Sequence, residues 1–393
     1  MEWKGDPIET KNGRVRAPKE VALGIIEGDG IGPEVMGVAK EVVNRAVEKA
    51  YEDRSVVWVE LLAGKKALRE KGTLLPKETI EGIRELKAAL KGPLETPVGS
   101  GHRSLNVALR KALDLYANVR PVQYYGAPTP FSRAEEVDFI IFRENTEDVY
   151  AGIEWRAGTE EAKKFRNFLL EEFGIEVRED AGIGVKPISE FGSKRIMRRA
   201  IQWAVEKGRK RVTIMHKGNI MKFTEGAFRE WAYQVAREEF GEYVSIGERR
   251  PGRILVDDRI ADNMFQQIIL RPGEYDVIVT PNLNGDYISD AAAALVGGVG
   301  MAAGLNLGDE VALAEPVHGT APDIAGKGIA NPSAAILSGA LLLEYIGWKK
   351  AAMLIREAIK RAITSGRKTL DLGGNLSTEG FGRAVMEEME NVH

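Results

Sequence analysis

Two aspartates spaced four residues apart are the clearest candidates for chemistry in this sequence. Asp286 and Asp290 lie in the stretch Asn282-Leu-Asn-Gly-Asp-Tyr-Ile-Ser-Asp290. If a helix begins near Gly285, both carboxylates project from one face about one turn apart. Hard oxygen ligands in that arrangement suit Mg²⁺ or Mn²⁺, with a substrate completing the coordination shell. Acidic residues also favour the positive end of an ordinary solvated helix, so the spacing alone leaves both interpretations open.

The composition is typical of a large globular protein. The chain has 393 residues, of which 44% are hydrophobic and 29% are charged, and this length suits two or three domains. The net charge of −3 provides no basic field for nucleic acid or membrane binding. No apolar run reaches the roughly 18 residues of a membrane helix, and the polar start has no signal-peptide core. We therefore expect a cytoplasmic protein. The absence of cysteine excludes disulfides and thiolate sites.

Buried strands alternate with amphipathic helices along most of the chain, which predicts an α/β fold. The first strand, at 21–26, leads into the Gly-rich turn Glu27-Gly-Asp-Gly-Ile-Gly-Pro-Glu34 and then a long helix. A strand, a Gly-rich turn and a helix in this order can form a dinucleotide-binding loop. The turn lacks the G-x-G-x-x-G spacing, however, so it does not predict a classical Rossmann fold.

A group of basic residues near a predicted helix start is a candidate anion site. Ser104 is predicted to cap a helix that carries Arg110, and Arg120 follows soon after. A helix N-terminus with arginines can clamp several carboxylates or a phosphate. The alternative is that Ser104 is only an N-cap and the arginines are surface charges. Arg143 favours the binding site, because it ends a buried strand and α/β proteins bind ligands at strand ends.

Three further polar residues stand close to predicted strand ends or in an irregular loop. Lys217 follows the strand at 211–216, and Asp262 lies at the start of a predicted helix. A lysine in such a place is usually only solvated. His318 lies in a Gly/Pro-rich loop with Asp323 close behind it. A lone histidine is more often structural than chemical, but this setting favours a functional role.

Taken together, these motifs resemble those of the isocitrate/isopropylmalate dehydrogenase family, the β-hydroxyacid oxidative decarboxylases, over nearly the whole chain. The resemblance implies two α/β domains with mixed sheets plus a clasp, and not a classical Rossmann fold. It implies a large cofactor-binding domain at 1–115 and 297–393, a small dimer-forming domain at 116–147 and 191–296, and a clasp at 148–190.

The same resemblance implies a role for each candidate residue. The substrate-binding set is Ser104, Asn106, Arg110, Arg120 and Arg143. Tyr150 matches the general acid, while Lys217 and Asp262 match catalytic groups that reach the site from the second subunit. This implies an obligate homodimer with active sites shared between subunits. The ligands of Mg²⁺ or Mn²⁺ are then Asp286, Asp290 and the second subunit's Asp262.

Within this family, the residue types at positions 104 and 106, Ser and Asn, resemble those of the prokaryotic members that act on isocitrate. Isopropylmalate enzymes carry an apolar residue there, whereas Ser and Asn can hydrogen-bond a third carboxylate. The implied reaction is the tricarboxylic acid cycle step that converts isocitrate to 2-oxoglutarate and CO₂. Lys217 and Asp262 are candidates for the base, and Tyr150, assisted by Lys217, protonates C3. Homoisocitrate and 3-isopropylmalate remain alternative substrates. A non-catalytic regulatory subunit is a further alternative, which the presence of the catalytic groups disfavours.

The loop from His318 to Gly326 resembles the adenosine-binding loop of the family. NADP-specific bacterial members carry Lys-Tyr where this chain has Asp323-Ile324. A carboxylate can accept hydrogen bonds from ribose hydroxyls but repels a 2′-phosphate. A Tyr and an Arg of the NADP clamp are replaced by Leu370 and Gly374, so we predict NAD. The implied cofactor-binding residues are Thr96, Asn219, His318, Gly319, Thr320, Ala321, Asp323, Ile324 and Asn331.

Overall fold

The structure is a computed structural model that describes residues 3–11, 14–95 and 104–392. Its strands are β1 Glu9–Lys11, β2 Arg14–Arg16, β3 Glu20–Ile26, β4 Ser55–Glu60, β5 Ala88–Lys91, β6 Ala117–Gln123, β7 Asp138–Glu144, β8 Glu154–Trp155, β9 Ile183–Gly184, β10 Arg211–His216, β11 Val244–Ile246, β12 Ile254–Ile260, β13 Val277–Thr280, β14 Ala303–Leu307 and β15 Ala312–Pro316. Its helices are α1 Gly32–Ala50, α2 Gly64–Lys71, α3 Lys77–Leu86, α4 Leu105–Ala112, α5 Glu160–Phe173, α6 Glu190–Glu206, α7 Glu225–Glu238, α8 Ala261–Leu270, α9 Asn282–Leu295, α10 Ser333–Tyr345, α11 Lys349–Thr364 and α12 Thr378–Glu390.

One mixed sheet of 11 strands forms the centre of the molecule, in the order β11-β12-β10-β13-β7-β6-β14-β15-β5-β3-β4. The α/β fold predicted from the sequence is therefore confirmed. The five strands β11, β12, β10, β13 and β7 run parallel, as do the four strands β15, β5, β3 and β4. The antiparallel strands β6 and β14 join these two parallel groups. Because β6 and β14 belong to different predicted domains, both domains contribute to one sheet; the domain boundaries themselves stay a prediction.

The core is built from strands and helices whose apolar faces are continuous. All six residues of β10 are buried, as expected for a parallel strand that is covered on both faces. Helices α1, α10, α11 and α12 pack together against one side of the sheet, with Trp348 among the largest buried side chains. In α10, nearly every residue is buried, so this helix has no solvent face.

No helix in the described part of the chain is long and apolar enough to span a membrane.

Local pairing sets the positions of several candidate residues. Arg120 lies inside β6, because β6 stays paired with β7 from Ala117 to Gln123. Residues Ala88–Lys91 form strand β5 in the interior of the sheet, between β15 and β3. The helix after Lys217 begins only at Glu225, because the intervening residues form a tight turn whose first backbone N–H, that of Lys217, donates to the Glu225 side chain.

The predicted clasp contains a small structure of its own. Strands β8 and β9 pair in an antiparallel manner, and α5 lies between them in the chain. Three apolar side chains of α5 are largely exposed, with relative exposures of 48% for Phe168, 53% for Leu170 and 63% for Phe173. Such an exposed apolar patch is typical of an interaction surface.

Candidate active site

Arg143, Tyr150 and Asp286 come together from three separate elements. Arg143 is near the end of β7, Tyr150 is in the short 3₁₀ helix Asp148–Ala151, and Asp286 is in the first turns of α9. The Arg143 guanidinium and the Tyr150 hydroxyl donate hydrogen bonds to different oxygens of the Asp286 carboxylate. The guanidinium also lies 4.9 Å from the centre of the Tyr150 ring. Gly285 permits this arrangement, because a Cβ there would lie 2.5 Å from Arg143 Cγ.

Asp286 and Asp290 lie on one face of α9, as their spacing predicts. The helix begins at Asn282, slightly earlier than expected. Both aspartates face Arg120, whose Nη1 lies 3.8 Å from Asp286 Oδ1 and 3.4 Å from Asp290 Oδ1. Arg120 also donates to the Ser289 hydroxyl on the same helix. The sheet thus brings two predicted substrate-binding arginines and two predicted metal ligands to one place.

The local charges set the protonation of these groups. Burial raises the pKa of Asp286, but Arg143 and the Tyr150 hydroxyl outweigh burial and lower the pKa below its ordinary value. For Asp290, burial dominates over Arg120 and raises the pKa. Burial, together with repulsion from Arg143, lowers the pKa of Arg120 to about 10. Arg120 therefore stays charged at neutral pH and is one positive charge of a site that suits a multiply charged anion.

The two aspartates fit part of a divalent cation site. Asp286 is held as an anion, both side chains are oxygen donors, and Asp290 is 60% exposed, which suits Mg²⁺ or Mn²⁺. Within residues 3–11, 14–95 and 104–392, no three His, Asp or Glu side chains group in a way that could hold a metal ion. A cation held by Asp286 and Asp290 would therefore need further oxygen ligands besides these two carboxylates.

Next to Arg120, a cavity of about 120 Å³ is lined by basic and polar residues at the end of β5, on α4, on β6 and at the end of β15. Arg110 and Lys91 both pair with the buried Glu315, at 2.8 Å and 2.7 Å. Ser104 precedes α4 as predicted, but its side chain makes no capping hydrogen bond. Several buried polar atoms of the cavity lining have no hydrogen-bond partner among the residues that the structure describes: Asn106 Oδ1, Arg110 Nε, Asn118 Oδ1, Arg120 Nε and His318 Nε2. Unpartnered buried polar groups are costly, so their convergence favours a polar ligand here.

Lys91 and Glu315 are charged residues of this cavity that the sequence analysis does not predict, and Asn118 is a further polar one. Lys91 is 1% exposed although it is a lysine, and only its position after the short apolar run Ala88–Leu90 could have drawn attention to it. Burial raises the pKa of Glu315, but Lys91 and Arg110 outweigh burial and hold the pKa well below its usual range. Glu315 also accepts a hydrogen bond of 2.8 Å from Asn306. This carboxylate therefore balances the two cations in the absence of an anionic ligand.

Replacement of Glu315 by Gln should lower the free energy of unfolding by about 3–5 kcal/mol, because two buried cations lose their counter-charge. Chemical denaturation of wild type and Glu315→Gln at neutral pH measures the difference. Glu310 provides a matched control, because its ion pair with Lys87 is longer, at 3.7 Å, and its side chain is 67% exposed. Glu310→Gln should change stability by less than about 0.5 kcal/mol. Equal stability of Glu315→Gln and wild type would contradict the expected role.

The ion pairs of Glu315 with Lys91 and Arg110 also predict that the stability of the fold depends on pH. The pKa of Glu315 is lower in the folded than in the unfolded protein, so its stabilising contribution is complete above the unfolded value of about 4.3. It is lost progressively as the pH falls below that value. Wild-type stability should therefore fall more steeply than that of Glu315→Gln between about pH 4.5 and pH 3. Parallel stability curves for the two proteins would contradict this expectation.

Lys217 and Asp262 form a separate pair within this chain. The Lys217 ammonium donates to the Asp262 carboxylate and thereby lowers its pKa. Among the described residues, neither side chain has a hydrogen bond or an ion pair with Tyr150, Asp286 or Asp290. The neighbouring side chains Ile220 and Phe223 are 70% and 91% exposed. Within the described ranges, this pair is therefore not joined to the Asp286 site of its own chain by a direct polar contact.

The predicted adenosine loop is anchored to the start of α1. The Glu34 carboxylate accepts hydrogen bonds from the backbone N–H groups of Gly326 and Gly328, and Ile31 N–H donates to the Thr320 carbonyl at 2.9 Å. The Gly-rich turn thus braces this loop. Asp323 is exposed at its surface, whereas Ile324 is half-buried against the core.

Of the remaining cofactor candidates, Asn331 and His318 lie at or beside the adenosine loop, whereas Asn219 lies next to Lys217. Asn331 donates at 3.0 Å to Asp371, and this contact brings the segment with Leu370 and Gly374 beside the adenosine loop. His318 has a lowered pKa because it is buried, which favours the neutral ring. Asn219 is exposed next to Lys217, away from that loop in the chain. Thr96 lies outside the described residues.

Comparison with known proteins shows the family. Residues 22–385 match the family model described as isocitrate/isopropylmalate dehydrogenase, and the chain belongs to this family. A crystal structure of isocitrate dehydrogenase from Methylococcus capsulatus superposes with a TM-score of 0.80 and is 40% identical, covering 94% of this chain and 99% of that one.

Two curated relatives carry more specific names. Isocitrate dehydrogenase (NADP) of Archaeoglobus fulgidus is 53% identical over 403 residues, which cover 99% of this chain and 97% of the relative. Isocitrate dehydrogenase (NADP) of Caldococcus noboribetus is 56% identical over 380 residues, with 94% and 89% covered. These names agree with the prediction of an isocitrate-type member of the family, but they do not support the prediction of NAD.

Proposed function

We propose that this protein catalyses the oxidative decarboxylation of isocitrate to 2-oxoglutarate and CO₂, with Mg²⁺ or Mn²⁺ and with NAD as the preferred oxidant. The observation that supports this most directly is the contact of Tyr150 and Arg143 with Asp286, beside Arg120 and Asp290. This contact supports a site in which Tyr150 is the proton donor, the arginines bind anions and the two aspartates are hard oxygen ligands. The family membership and the names of the relatives support the same reaction.

The substrate is assigned from the polar cavity next to Arg120. Isocitrate carries three carboxylates, and the cavity offers Arg110, Arg120 and Lys91 as cations. Ser104 and Asn106 would hydrogen-bond the carboxylate that distinguishes isocitrate from 3-isopropylmalate. An apolar isopropyl group would leave buried polar atoms such as Asn106 Oδ1 unpaired, which costs binding energy. Homoisocitrate keeps three carboxylates and is the second candidate substrate.

We propose the chemical role of each side chain from the resemblance to the family. Arg110, Arg120 and Arg143 hold the carboxylates and orient the substrate. Lys217 or Asp262 would accept the hydroxyl proton, and a bound nicotinamide would accept the hydride from C2, which leaves a β-keto acid. After the C3–carboxylate bond breaks and CO₂ leaves, Tyr150 would deliver a proton to C3. Asp286 and Asp290 would hold a divalent cation, which would supply Lewis-acid stabilisation of negative charge on the substrate oxygen.

A homodimer with shared active sites explains the separation of Lys217 and Asp262 from the Asp286 site. In this arrangement each subunit supplies Tyr150, Asp286 and Asp290 to its own site and lends Lys217 and Asp262 to the other. The exposed side chains Ile220 and Phe223 next to Lys217 and the apolar patch of α5 would be covered by the second subunit.

The preference for NAD is proposed from the adenosine loop. Asp323 is exposed on a loop whose backbone is held by Glu34, so its carboxylate is available to ribose hydroxyls and would repel a 2′-phosphate. Gly374 supplies no cation for that phosphate. NADP is the alternative that the names of the relatives favour.

Purified protein should reduce NAD in the presence of isocitrate and Mg²⁺ or Mn²⁺, as followed by the absorbance of the reduced nicotinamide. NAD and NADP are compared at matched concentrations, and homoisocitrate and 3-isopropylmalate serve as competing substrates. Turnover that prefers NADP would overturn the cofactor proposal alone. Turnover with homoisocitrate but not isocitrate would overturn the substrate, and no turnover with any of them would favour a regulatory subunit.

A further inference from the structure

A buried ionic cluster lies between the turn that carries Tyr150 and the turn that carries Lys217. Lys186 Nζ contacts Asp148 Oδ1 at 2.5 Å and Glu225 Oε1 at 3.0 Å. Asp148 is 1% exposed and Glu225 is fully buried. Lys186 is thus the cation of a cluster with two buried carboxylates, and none of these three residues has a role in the reaction described above.

Each carboxylate of this cluster also holds backbone or amide groups near the candidate site. Asp148 accepts hydrogen bonds from the N–H of Val149 at 2.7 Å and from the N–H of Leu283 at 3.0 Å. Glu225 accepts from the N–H of Lys217 at 2.5 Å and from the Asn284 side chain at 2.8 Å. The cluster therefore connects three segments: the Tyr150 turn, the start of α9 and the Lys217 turn.

The backbone of Asp148 is strained in a way that the cluster explains. Its φ of +68° is in the left-handed region, which a residue with a side chain rarely adopts. The conformation is held by the N–H of Asp148, which donates to the Pro187 carbonyl at 2.9 Å, and by the contacts of its carboxylate. A strained backbone conformation persists only where the surrounding contacts hold it in place, and such conformations are concentrated at functional sites.

We infer that Lys186 is a positioning residue that sets the Tyr150 turn and the Lys217 turn relative to each other, and so connects the two active sites of the dimer. This inference rests on the proposed function, in which Tyr150 serves the site of its own subunit and Lys217 serves the other. Without the ammonium group, Asp148 and Glu225 are two like charges in a buried place, and their repulsion would displace both turns. A displacement of about 1 Å suffices to slow a reaction about 100-fold.

Lys186→Met should lower kcat about 10- to 100-fold and leave the KM for isocitrate within about threefold, because none of the cluster residues is in the proposed substrate-binding set. Lys186→Arg keeps the charge and should restore most of kcat. Lys194→Met is the matched control, because Lys194 pairs with Glu190 at 2.5 Å on the surface of α6 and should keep wild-type kcat. A Lys186→Met enzyme with wild-type kcat would overturn the inference.

A double variant separates positioning from stability. Lys186→Met with Glu225→Gln removes one charge of each sign, so the net charge of the cluster is unchanged. Its melting temperature should recover relative to Lys186→Met, while kcat stays low because the ammonium that joins the two turns is still missing. Recovery of kcat together with stability would overturn the inference, since the cluster would then only stabilise the fold.

Hybrid dimers test the connection between sites. In a dimer of Lys217→Met and Tyr150→Phe subunits, one site retains both groups and the other lacks both, whereas each parental dimer is inactive at both sites. Lys186→Met is then added to either subunit, and we expect the remaining activity to fall about tenfold or more for both placements. A loss for only one placement would overturn the connection. An inactive hybrid without Lys186→Met would instead overturn the shared site on which the inference rests.

Discussion

Replacement of Tyr150 by Phe is expected to lower kcat by about 10²- to 10⁴-fold, the usual contribution of a general acid. The hydroxyl is the only group removed, and it is the group that donates to Asp286. The ring remains beside the Arg143 guanidinium, 4.9 Å from its centre, and Phe preserves that contact. Burial and the bond to Asp286 raise the pKa of Tyr150, so the wild-type hydroxyl carries its proton at neutral pH.

Steady-state kinetics with isocitrate measure this effect, and the KM for isocitrate should change by less than about threefold, since the arginines bind the substrate. Tyr243→Phe is the matched control because Tyr243 is 52% exposed and lies between α7 and β11; it should keep kcat within about twofold of wild type. If Tyr150→Phe retained more than half of the wild-type kcat, Tyr150 would not be the acid, and the proton for C3 would have to come from another group.

The parts of this site that the sequence predicts are those with local patterns. The spacing of Asp286 and Asp290 is a helical period, and a helical period survives any packing of the helix. Arg143 and Lys217 are predictable because each follows or ends a strongly apolar strand, and the ends of parallel strands are where polar groups gather. Such signals depend on a few neighbouring residues, so they can be read without knowledge of the tertiary structure.

The parts that the sequence does not predict are those that depend on distant pairing. Glu315 on β15 neutralises the charges of Lys91 on β5 and Arg110 on α4. No local pattern in these three segments predicts this contact. The cluster of Lys186 with Asp148 and Glu225 is of the same kind. Charged residues are exposed by default, so a buried pair becomes visible only once the strands and helices are assembled.

Distant pairing also sets the extent of the sheet. Strand β6 contains Pro121 in its middle, and a proline argues against a central strand because it cannot donate a hydrogen bond. The register with β7 and β14 nevertheless keeps β6 in the sheet. That pairing places Arg120 inside β6 and joins the strands of both predicted domains in a single sheet.

The double variant Asp323→Lys, Ile324→Tyr is expected to shift the ratio of kcat/KM for NADP over NAD by about 10²- to 10³-fold in favour of NADP. A unit charge 4 Å from a phosphate contributes about 4 kcal/mol at an effective dielectric constant of 20, and the exchange turns repulsion into attraction. The loop should keep its course, because the Glu34 carboxylate and the Ile31 N–H bind backbone groups of the loop that the two substitutions do not change.

Matched variants assign this effect to the charge at position 323. Asp323→Asn removes the repulsion without adding a cation and should give a smaller shift of the same sign. Glu52→Lys changes the net charge by the same amount as Asp323→Lys. Glu52 is exposed beyond the end of α1 opposite to Glu34, roughly 25 Å from it along the helix, so this control should leave the ratio unchanged.

Gly374 limits how far substitutions can change the preference for NAD over NADP. A Cβ at this position would lie 2.0 Å from the Lys368 carbonyl oxygen, so an arginine there would displace the backbone beside Asp371 before it could reach a phosphate. Gly374→Arg should therefore lower kcat/KM for both cofactors and not create an NADP clamp.

An unchanged cofactor ratio in the Asp323→Lys, Ile324→Tyr enzyme would mean that the 2′ position of the ribose is recognised elsewhere, and that the loop from 318 to 326 does not decide between NAD and NADP.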